Sequence, residues 1–490
     1  MGQGWGAAIV AARLAEAANL TSDDCVAAYY LAELKYIGCT TESHTIAEVF
    51  GDEIEVGAWF PQLDMGKPMD VLSGIARNLG AGRPTATRSA MIARALVGLP
   101  KVAKIAVAHC ETATRLSPRL SLPVTVRESI VQLAERWDGR GLPRGLRGEQ
   151  VSVAARVASL ARDAAVFNRL GGPPAVEKMA RERSGGAHDP ALVVCLLKGG
   201  AAVFDGVADA VWAEVLAAEP GQIPRLSQPA LDEGLEAIAD FVDLKFPGMA
   251  GHSRAVACLA SAAGALAGLN EAECCELRRA GLVHDIGRIG ISSGIWHKPG
   301  RLSQDEWEKV RLHPYLTERI LAQPRWLERL GSLASLHHER LDGSGYHHRA
   351  LASHLSFPAR LLAAADAYEA MLEPRSHREA RLPENAAEEL RAAGRAGKLD
   401  PDAVASVTAA AGHRASPRRR AWPMDLTDRE VDVLRSLARG WSDREIASRL
   451  HISRKTVGHH IEHIYDKIEV STRSAATLFA MEHDLIRPQV

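Results

Sequence analysis

Between positions 252 and 366 the chain concentrates side chains of the metal-ligand type. They are His252, the adjacent pair His284-Asp285, His313, the adjacent pair His337-His338, Asp342 and Asp366. Neutral imidazoles and carboxylates together suit divalent ions of intermediate hardness, such as Fe, Mn or Zn. Each histidine taken singly is an ordinary solvated or hydrogen-bonded residue. It is the combination, with two adjacent pairs, that points to shared coordination.

The elements that must position these residues read as helices. Val256, Leu259, Ala263 and Leu266 form one apolar stripe, and Asn270 with Glu273 makes a capping box for the next helix. Thr21 with Asp24 does similar work near the N-terminus. Alternating β-branched runs are scarce and aromatic residues make up only 5% of the chain, so an all-α fold class is expected. Gly171-Gly172-Pro173-Pro174 and the stretch from Pro220 to Pro229 mark loops.

The chain also repeats itself. Leu20 through Ile37-Gly38 matches Leu269 through Ile286-Gly287, and Glu135-Arg136-Trp137-Asp138-Gly139-Arg140-Gly141 matches Glu339-Arg340-Leu341-Asp342-Gly343-Ser344-Gly345. Asp138 to Ala155 spans as many positions as Asp342 to Ala359. The first copy carries extra residues between the two blocks, an insertion placed around Glu55 to Arg88. A weaker match sets His188-Asp189-Pro190 against Leu399-Asp400-Pro401.

Length and charge bound the rest. The 490 residues suggest about three domains. With 59 Lys+Arg against 60 Asp+Glu, the chain as a whole is neither a basic polyanion binder nor an acidic solvating chain. At 47% hydrophobic and 24% charged it is not wholesale disordered. No apolar run approaches a membrane span, the N-terminal stretch does not read as a signal peptide, and the seven cysteines form no C-x-x-C pair. A cytoplasmic protein with reduced thiols and no membrane partner is expected.

The segment from about Ile238 to Arg381 resembles the HD-GYP subgroup of the HD phosphohydrolases. The resemblance rests on His284-Asp285-Ile286-Gly287, Lys298-Pro299-Gly300, His337-His338-Glu339-Arg340-Leu341-Asp342-Gly343-Ser344-Gly345-Tyr346 and Ala365-Asp366-Ala367-Tyr368. It implies a helical domain with a metal centre that hydrolyses a phosphodiester, in the best-known members cyclic di-GMP. It implies His252, His284, Asp285, His313, His337, His338 and Asp366 as metal ligands, with Asp285 bridging. Arg375, Arg378, Asp342 and Tyr346 fall to the substrate. Two divalent ions, Fe or Mn with Zn as a further option, are the expected cofactors; sharing Asp285, they would lower the pKa of a water between them. This sequence departs from the family at three places: His347 stands where the signature has Pro, Arg288 where a catalytic Lys is common, and Gly248 where some members have a third-metal Glu. Asp285 and Arg288 are the catalytic candidates, Arg288 as an electrostatic aid, since a guanidinium is a poor proton donor.

Carrying the repeat through, Gln3 occupies the place of His252, Lys35-Tyr36 that of His284-Asp285, Leu133-Ala134 that of His337-His338 and Arg162 that of Asp366. Gly171 and Pro174 replace Arg375 and Arg378, and only His109 persists, opposite His313. The first copy is read as a degenerate HD-like domain serving sensing, dimerisation or packing.

After the basic run Arg418-Arg419-Arg420, Thr427 with Glu430, Ser442 with Glu445, and Ser453 open three short helices, and Gly440 closes the first. Val457, Ile461, Ile464 and Ile468 face inward, which leaves Lys455, His459, Glu462 and Asp466 outside. This tail resembles the LuxR-type DNA-binding domain through Leu426-Thr427, Arg429-Glu430, Glu445-Ile446-Ala447, Ile452-Ser453, Thr456-Val457, His460, Lys467 and Arg473. The resemblance implies Lys455, Gly458, His459 and Glu462 near base edges, with Thr456, His460 and Lys467 near phosphates of double-stranded DNA. From Asp425 onward 10 Lys+Arg face 11 Asp+Glu, so binding as a salt-sensitive dimer is expected.

The expected architecture is therefore two HD-like helical domains in tandem plus a four-helix LuxR-type domain: 1–225, 226–412, a basic linker 413–424, and 425–490. The expected function is a homodimeric transcription regulator whose metal-dependent domain hydrolyses or senses a nucleotide second messenger such as cyclic di-GMP. The alternatives are a phosphohydrolase acting on another nucleotide or phosphoester, and a non-catalytic metal- or ligand-binding regulator.

Overall fold

A computed structural model describes residues 5–36, 41–207, 211–221, 226–298, 300–374, 379–412, 422–483 and 485–486. Among them every regular element is helical, joined by turns and three isolated β-bridges. The chain divides into two units, Met1–Ala230 and Leu231–Val490. None of the described helices is long and apolar enough to cross a membrane.

In the first unit the helices Trp5–Ala17, Ser22–Glu33 and Val153–Arg183 pack together around Leu14, Leu31 and Leu160. The last of these is broken at Gly171 and Gly172, both non-helical, Gly172 at φ +64°, where the sequence places a loop. Between them Val49, Phe50, Trp59, Ile75 and Leu79 form a separate small core that partly buries Ile46 and Leu99. This cluster is wider than the insertion read from the sequence. The Thr85–Leu116 helix explains why: its first part joins the small core through Met91 and Ala95, and beyond Pro100 it reaches the main core through Ala113.

The second unit holds two cores. The helices His252–Leu266, Glu271–Val283, Phe357–Leu372 and Pro401–Ala410 bury Val256, Leu277, Leu361 and Val404. Asn270 and Glu273 form the expected capping box, and Ser356 caps the helix that carries Asp366. The tail forms the other core from Asp428–Ala438, Asp443–Arg449, Arg454–Lys467 and Arg473–Glu482, around Val431, Leu434, Val457, Ile464 and Phe479. Thr427, Ser442 and Ser453 cap their helices as expected, and Gly440 stands at φ +83°.

The repeated sequence blocks make matching contacts inside each unit. The Glu135 carboxylate accepts from Arg144 N and Leu146 N, and that of Glu339 accepts from His348 N, Arg349 N and Ala350 N. Asp138 bridges to Arg147 as Asp342 does to Leu351. Arg156 pairs with Asp189 as Arg360 does with Asp400. A buried carboxylate folding its own loop back is costly unless each oxygen is hydrogen-bonded, and in both units it is.

Candidate metal centre and DNA-binding face

Five segments deliver the candidate ligands to one buried point. His252 is the first residue of its helix, and the Asp243 carboxylate accepts from Ser253 N at 2.9 Å and Ser253 Oγ at 2.7 Å, fixing that helix start. His284 ends the Glu271–Val283 helix and Asp285 begins the tight turn Ile286–Gly290. That turn lies on the His313–Leu321 helix so closely that a Cβ on Gly287 would sit 1.9 Å from the His313 carbonyl oxygen. Thr317 Oγ1 closes the joint, donating to His284 O at 2.9 Å and accepting from Gly287 N at 3.0 Å. His337 and His338 follow the Glu328–Ala334 helix, and Asp366 lies within Phe357–Leu372.

The geometry divides around Asp285. Its Oδ2 lies 3.6 Å from His252 Nε2 and 3.3 Å from His284 Nε2, while its Oδ1 lies 3.4 Å from His313 Nε2 and 3.5 Å from His337 Nε2. Asp366 Oδ1 stands 3.4 Å from His252 Nε2, and its Oδ2 stands 3.4 Å from His338 Nδ1. Donors bound at 2.0–2.1 Å in a tetrahedral shell lie about 3.3 Å apart, so these separations match the edges of coordination shells. The side chains form two trios, His252-His284-Asp366 and His313-His337-His338, with one Asp285 oxygen turned to each.

Hydrogen bonds aim the lone pairs. His284, His313 and His337 present Nδ1 to the carbonyls of Gly281, Val310 and Ala334 at 2.8, 2.6 and 2.7 Å. A proton on Nδ1 leaves Nε2 as the bare acceptor. The Nε2 atoms of His313 and His337 then face each other at 3.1 Å, a separation that a proton shared between them or a cation bound by both accommodates. His252 Nδ1 meets Glu373 Oε1 at 2.8 Å. His252 Nε2, His284 Nε2 and both Asp285 oxygens are buried without a hydrogen-bond partner. Orphaned buried acceptors of this kind are strongly penalised, and divalent cations would satisfy them, so the donor set fits a two-metal group.

Charge is unevenly spread. Burial opposes ionisation of Asp285, yet Arg288 and His284 hold its carboxyl well below the usual range. Burial pushes His313 down to about 3, with His337 and Arg288 adding to the effect, and burial beside His337 also lowers His338. For His252 burial works downward but Glu373 and Asp366 outweigh it and raise its pKa. Arg288 is buried, with Nε 2.9 Å from Asp285 Oδ2 and its guanidinium 4.6 Å from the centre of the Trp296 ring.

Tyr346 lies against the trio, its ring centre 4.8 Å from that of His338. Asp342 is not brought there. It is exposed, and its Oδ1 accepts from Ser344 N and Oγ at 3.0 and 2.6 Å, so it organises the turn. Arg375, Arg378, Gln3 and the Arg418–Arg420 run lie outside the described residues. Gly248 backs onto Pro374, whose carbonyl oxygen would be 2.9 Å from an added Cβ. The carboxylate that does approach His252 is Glu373, which sequence reasoning missed together with Thr317 and Trp296.

In the tail, Lys455, His459 and Glu462 are exposed on the Arg454–Lys467 helix, with Thr456, Gly458 and His460 partly exposed beside them. Nothing stands within 4 Å of a Cβ added to Gly458, so internal packing does not demand this glycine and the surface is open to close approach. Lys467 differs from its expected role. Its Nζ donates to Glu430 Oε2 at 2.7 Å and Asp425 O at 2.9 Å, which binds the helix end to the first capping box.

Comparisons with known proteins agree with this division. Residues 236–403 match the HD domain family, and residues 424–480 match the luxR family of bacterial regulatory proteins. Over 357 residues the chain is 29% identical to the 3'3'-cGAMP-specific phosphodiesterase 3 of Vibrio cholerae, covering 71% of this chain and 76% of that one. It is 37% identical over 116 residues to a cyclic di-GMP phosphodiesterase response regulator of Xanthomonas campestris, covering 23% of this chain and 30% of the relative. A crystal structure of a cyclic GMP-AMP specific phosphodiesterase from V. cholerae shares the fold, with a TM-score of 0.54 at 24% identity, over 83% of this chain and 92% of that one.

Proposed function

Because the chain joins an HD domain to a luxR-family regulatory domain, we propose that it is a DNA-binding regulator whose HD domain hydrolyses a phosphodiester bond of a cyclic dinucleotide. One observation carries the hydrolytic half. Each oxygen of Asp285 faces a separate trio of ligand-type side chains, and both oxygens are buried without a hydrogen bond. Two divalent cations held there would supply Lewis acidity towards a phosphoryl oxygen and a water acidified towards neutrality.

The chain's own groups do the rest. His252, His284, His313, His337, His338 and Asp366 would hold the pair, with one Asp285 oxygen turned to each trio. Arg288, buried and charged beside Asp285, contributes fixed positive potential where phosphoryl charge develops. The Tyr346 ring packs beside His338 and forms a wall for the substrate. Phosphate contacts fall to Arg375 and Arg378, since Arg suits bidentate contact. Relatives named for 3'3'-cGAMP and for cyclic di-GMP support the cyclic dinucleotide class.

The test is direct. Full-length protein is assayed for bound Fe, Mn and Zn, then incubated with cyclic di-GMP or 3'3'-cGAMP. Bound metal with release of linear dinucleotide is expected; metal-free protein would sink the enzyme reading. A binding-only role draws support from the Arg288–Asp285 ion pair, because a guanidinium competes with a cation for Oδ2. Metal with unchanged nucleotide would favour that role.

For the tail, the proposed recognition helix is Arg454–Lys467, with Lys455, Gly458, His459 and Glu462 at base edges and Thr456 and His460 at phosphates. Replacing Lys455→Ala together with His459→Ala should relax operator choice in a binding-site selection, by about 1–3 kcal/mol per lost base contact. An unchanged sequence preference would refute the assignment.

A further inference from the structure

The residue that breaks the signature, His347, does not face the buried cluster's two trios. It lies with His348 against Glu318: His347 Nε2 is 3.3 Å and His348 Nε2 is 3.2 Å from Glu318 Oε2. The three donor atoms all fall within 4.8 Å of one another, and the two imidazole centres are 3.8 Å apart. Neither ring nitrogen of His347, both buried, makes a hydrogen bond, despite the short distance to Glu318. The contact has the length of a shell edge, about 3.3 Å for donors at 2.0–2.1 Å from a tetrahedral ion.

The backbone beneath is pre-formed. Glu339, itself 1% exposed, accepts from His348 N at 2.8 Å, Arg349 N at 3.1 Å and Ala350 N at 2.9 Å, which locks the strip bearing both imidazoles. Glu318 rises from the His313–Leu321 helix, already fixed by Thr317 against the turn bearing Asp285. His347, Glu318 and His348 side chains are 16%, 34% and 45% exposed, so the cluster has a route to solvent. Two imidazoles and one carboxylate with an open side match a three-ligand site with its remaining position left to water.

We propose that Glu318, His347 and His348 form a further divalent-cation site, suited to Zn²⁺ or a similar borderline ion and separate from the buried cluster around Asp285. Occupied, it ties the loop that carries Tyr346 to the helix that carries His313. It thereby makes the wall beside the buried cluster depend on an ion outside that cluster. The metal replaces, by coordination, the conformational restraint that a proline would impose at position 347.

The test uses the full chain, stripped with chelator, desalted and titrated with Zn²⁺ alone, with metal counted per chain after gel filtration. His348→Ala and Glu318→Gln should each bind about one equivalent fewer than the wild type. Asp285→Asn should lose metal from the buried cluster and keep this equivalent. Zinc should also raise Tm less in His348→Ala than in the wild type. Equal Tm values of wild type and variant in chelator establish that the variant is folded. Equal zinc stoichiometry in the wild type and either folded variant would overturn the proposal, whether or not the protein hydrolyses any nucleotide.

Discussion

The two units place opposite chemistry at corresponding points of the repeat. Where the second unit has His284 and His337 with ring centres 4.8 Å apart, the first has Lys35 donating to the carbonyl of Leu133. Where the second has Asp366, whose carboxyl burial opposes but neighbouring histidines hold ionised, the first has Arg162 paired with Asp163. Asp163 also takes Arg183 at 2.5 Å and His188 at 2.9 Å, so its charge is consumed internally. Both arrangements bury charge at one place in a helical frame. One gathers several imidazole and carboxylate acceptors against the single cation Arg288; the other places the cations Lys35 and Arg162 at the corresponding positions.

The sharpest way to break this comparison is to remove the bridging carboxylate. Asp285→Asn should reduce bound metal to one equivalent or none at the buried cluster and cut cyclic dinucleotide hydrolysis by about 10³-fold, because the spacing of the pair depends on that group. Lys35→Ala should leave bound metal and hydrolysis within about twofold, since Lys35 stands in the first unit and the candidate metal ligands stand in the second. Metal content by elemental analysis beside product release reads both. Equal losses from the two substitutions would abolish the distinction between the units.

A smaller effect is expected one contact further out. Glu373 reaches His252 Nδ1 at 2.8 Å and orients its Nε2 towards Asp285 and Asp366. Glu373→Gln should weaken metal binding about 10–100-fold, the usual cost of losing a carboxylate that orients a ligating histidine, and leave the fold intact. A chelator competition curve measures it. Unchanged affinity would mean that the His252 helix alone aims the ring.

The contrast shows which parts of the molecule could be read from the chain. Helix starts were legible because caps are local: Asn270-Glu273, Thr427-Glu430 and Ser442-Glu445 each sit within one turn. The convergent histidines were legible as residue types, and the structure brings His252, His284, His313, His337, His338, Asp285 and Asp366 together. Glu373, Thr317 and Trp296 were not, because an ordinary Glu, Thr or Trp acquires its role only when a distant segment folds against it. Asp342 looked like a ligand by type, but Asp-Gly-Ser is also turn chemistry, and the turn uses it. Lys467 looked free for phosphate, yet Glu430 Oε2, the oxygen that accepts from Thr427 in the capping box, also accepts from Lys467 Nζ. Pairings over long sequence separation are where residue-by-residue reading stops.

The mildest test concerns what the first unit retained. His109, opposite His313 in the repeat, is half-buried, and desolvation together with Lys35 depresses its pKa from 6.5 to about 4. The folded state thus holds it neutral while the unfolded chain protonates near pH 6.5. Between these values the unfolded state binds more protons, so stability rises with pH across that window and is lost on acidification from about pH 6.5 towards pH 4. The contribution is about 3 kcal/mol at full development. Glu33, raised by burial to about 7, pulls the other way: its neutral form is favoured in the fold, so stability falls as pH rises from about 4.5 to 7. The two partly cancel in the wild type, and His109→Leu should make the denaturation midpoint fall less on acidification from pH 6.5 towards 4 than it does in the wild type. The same fall in the variant as in the wild type would place the acid-sensitive group elsewhere.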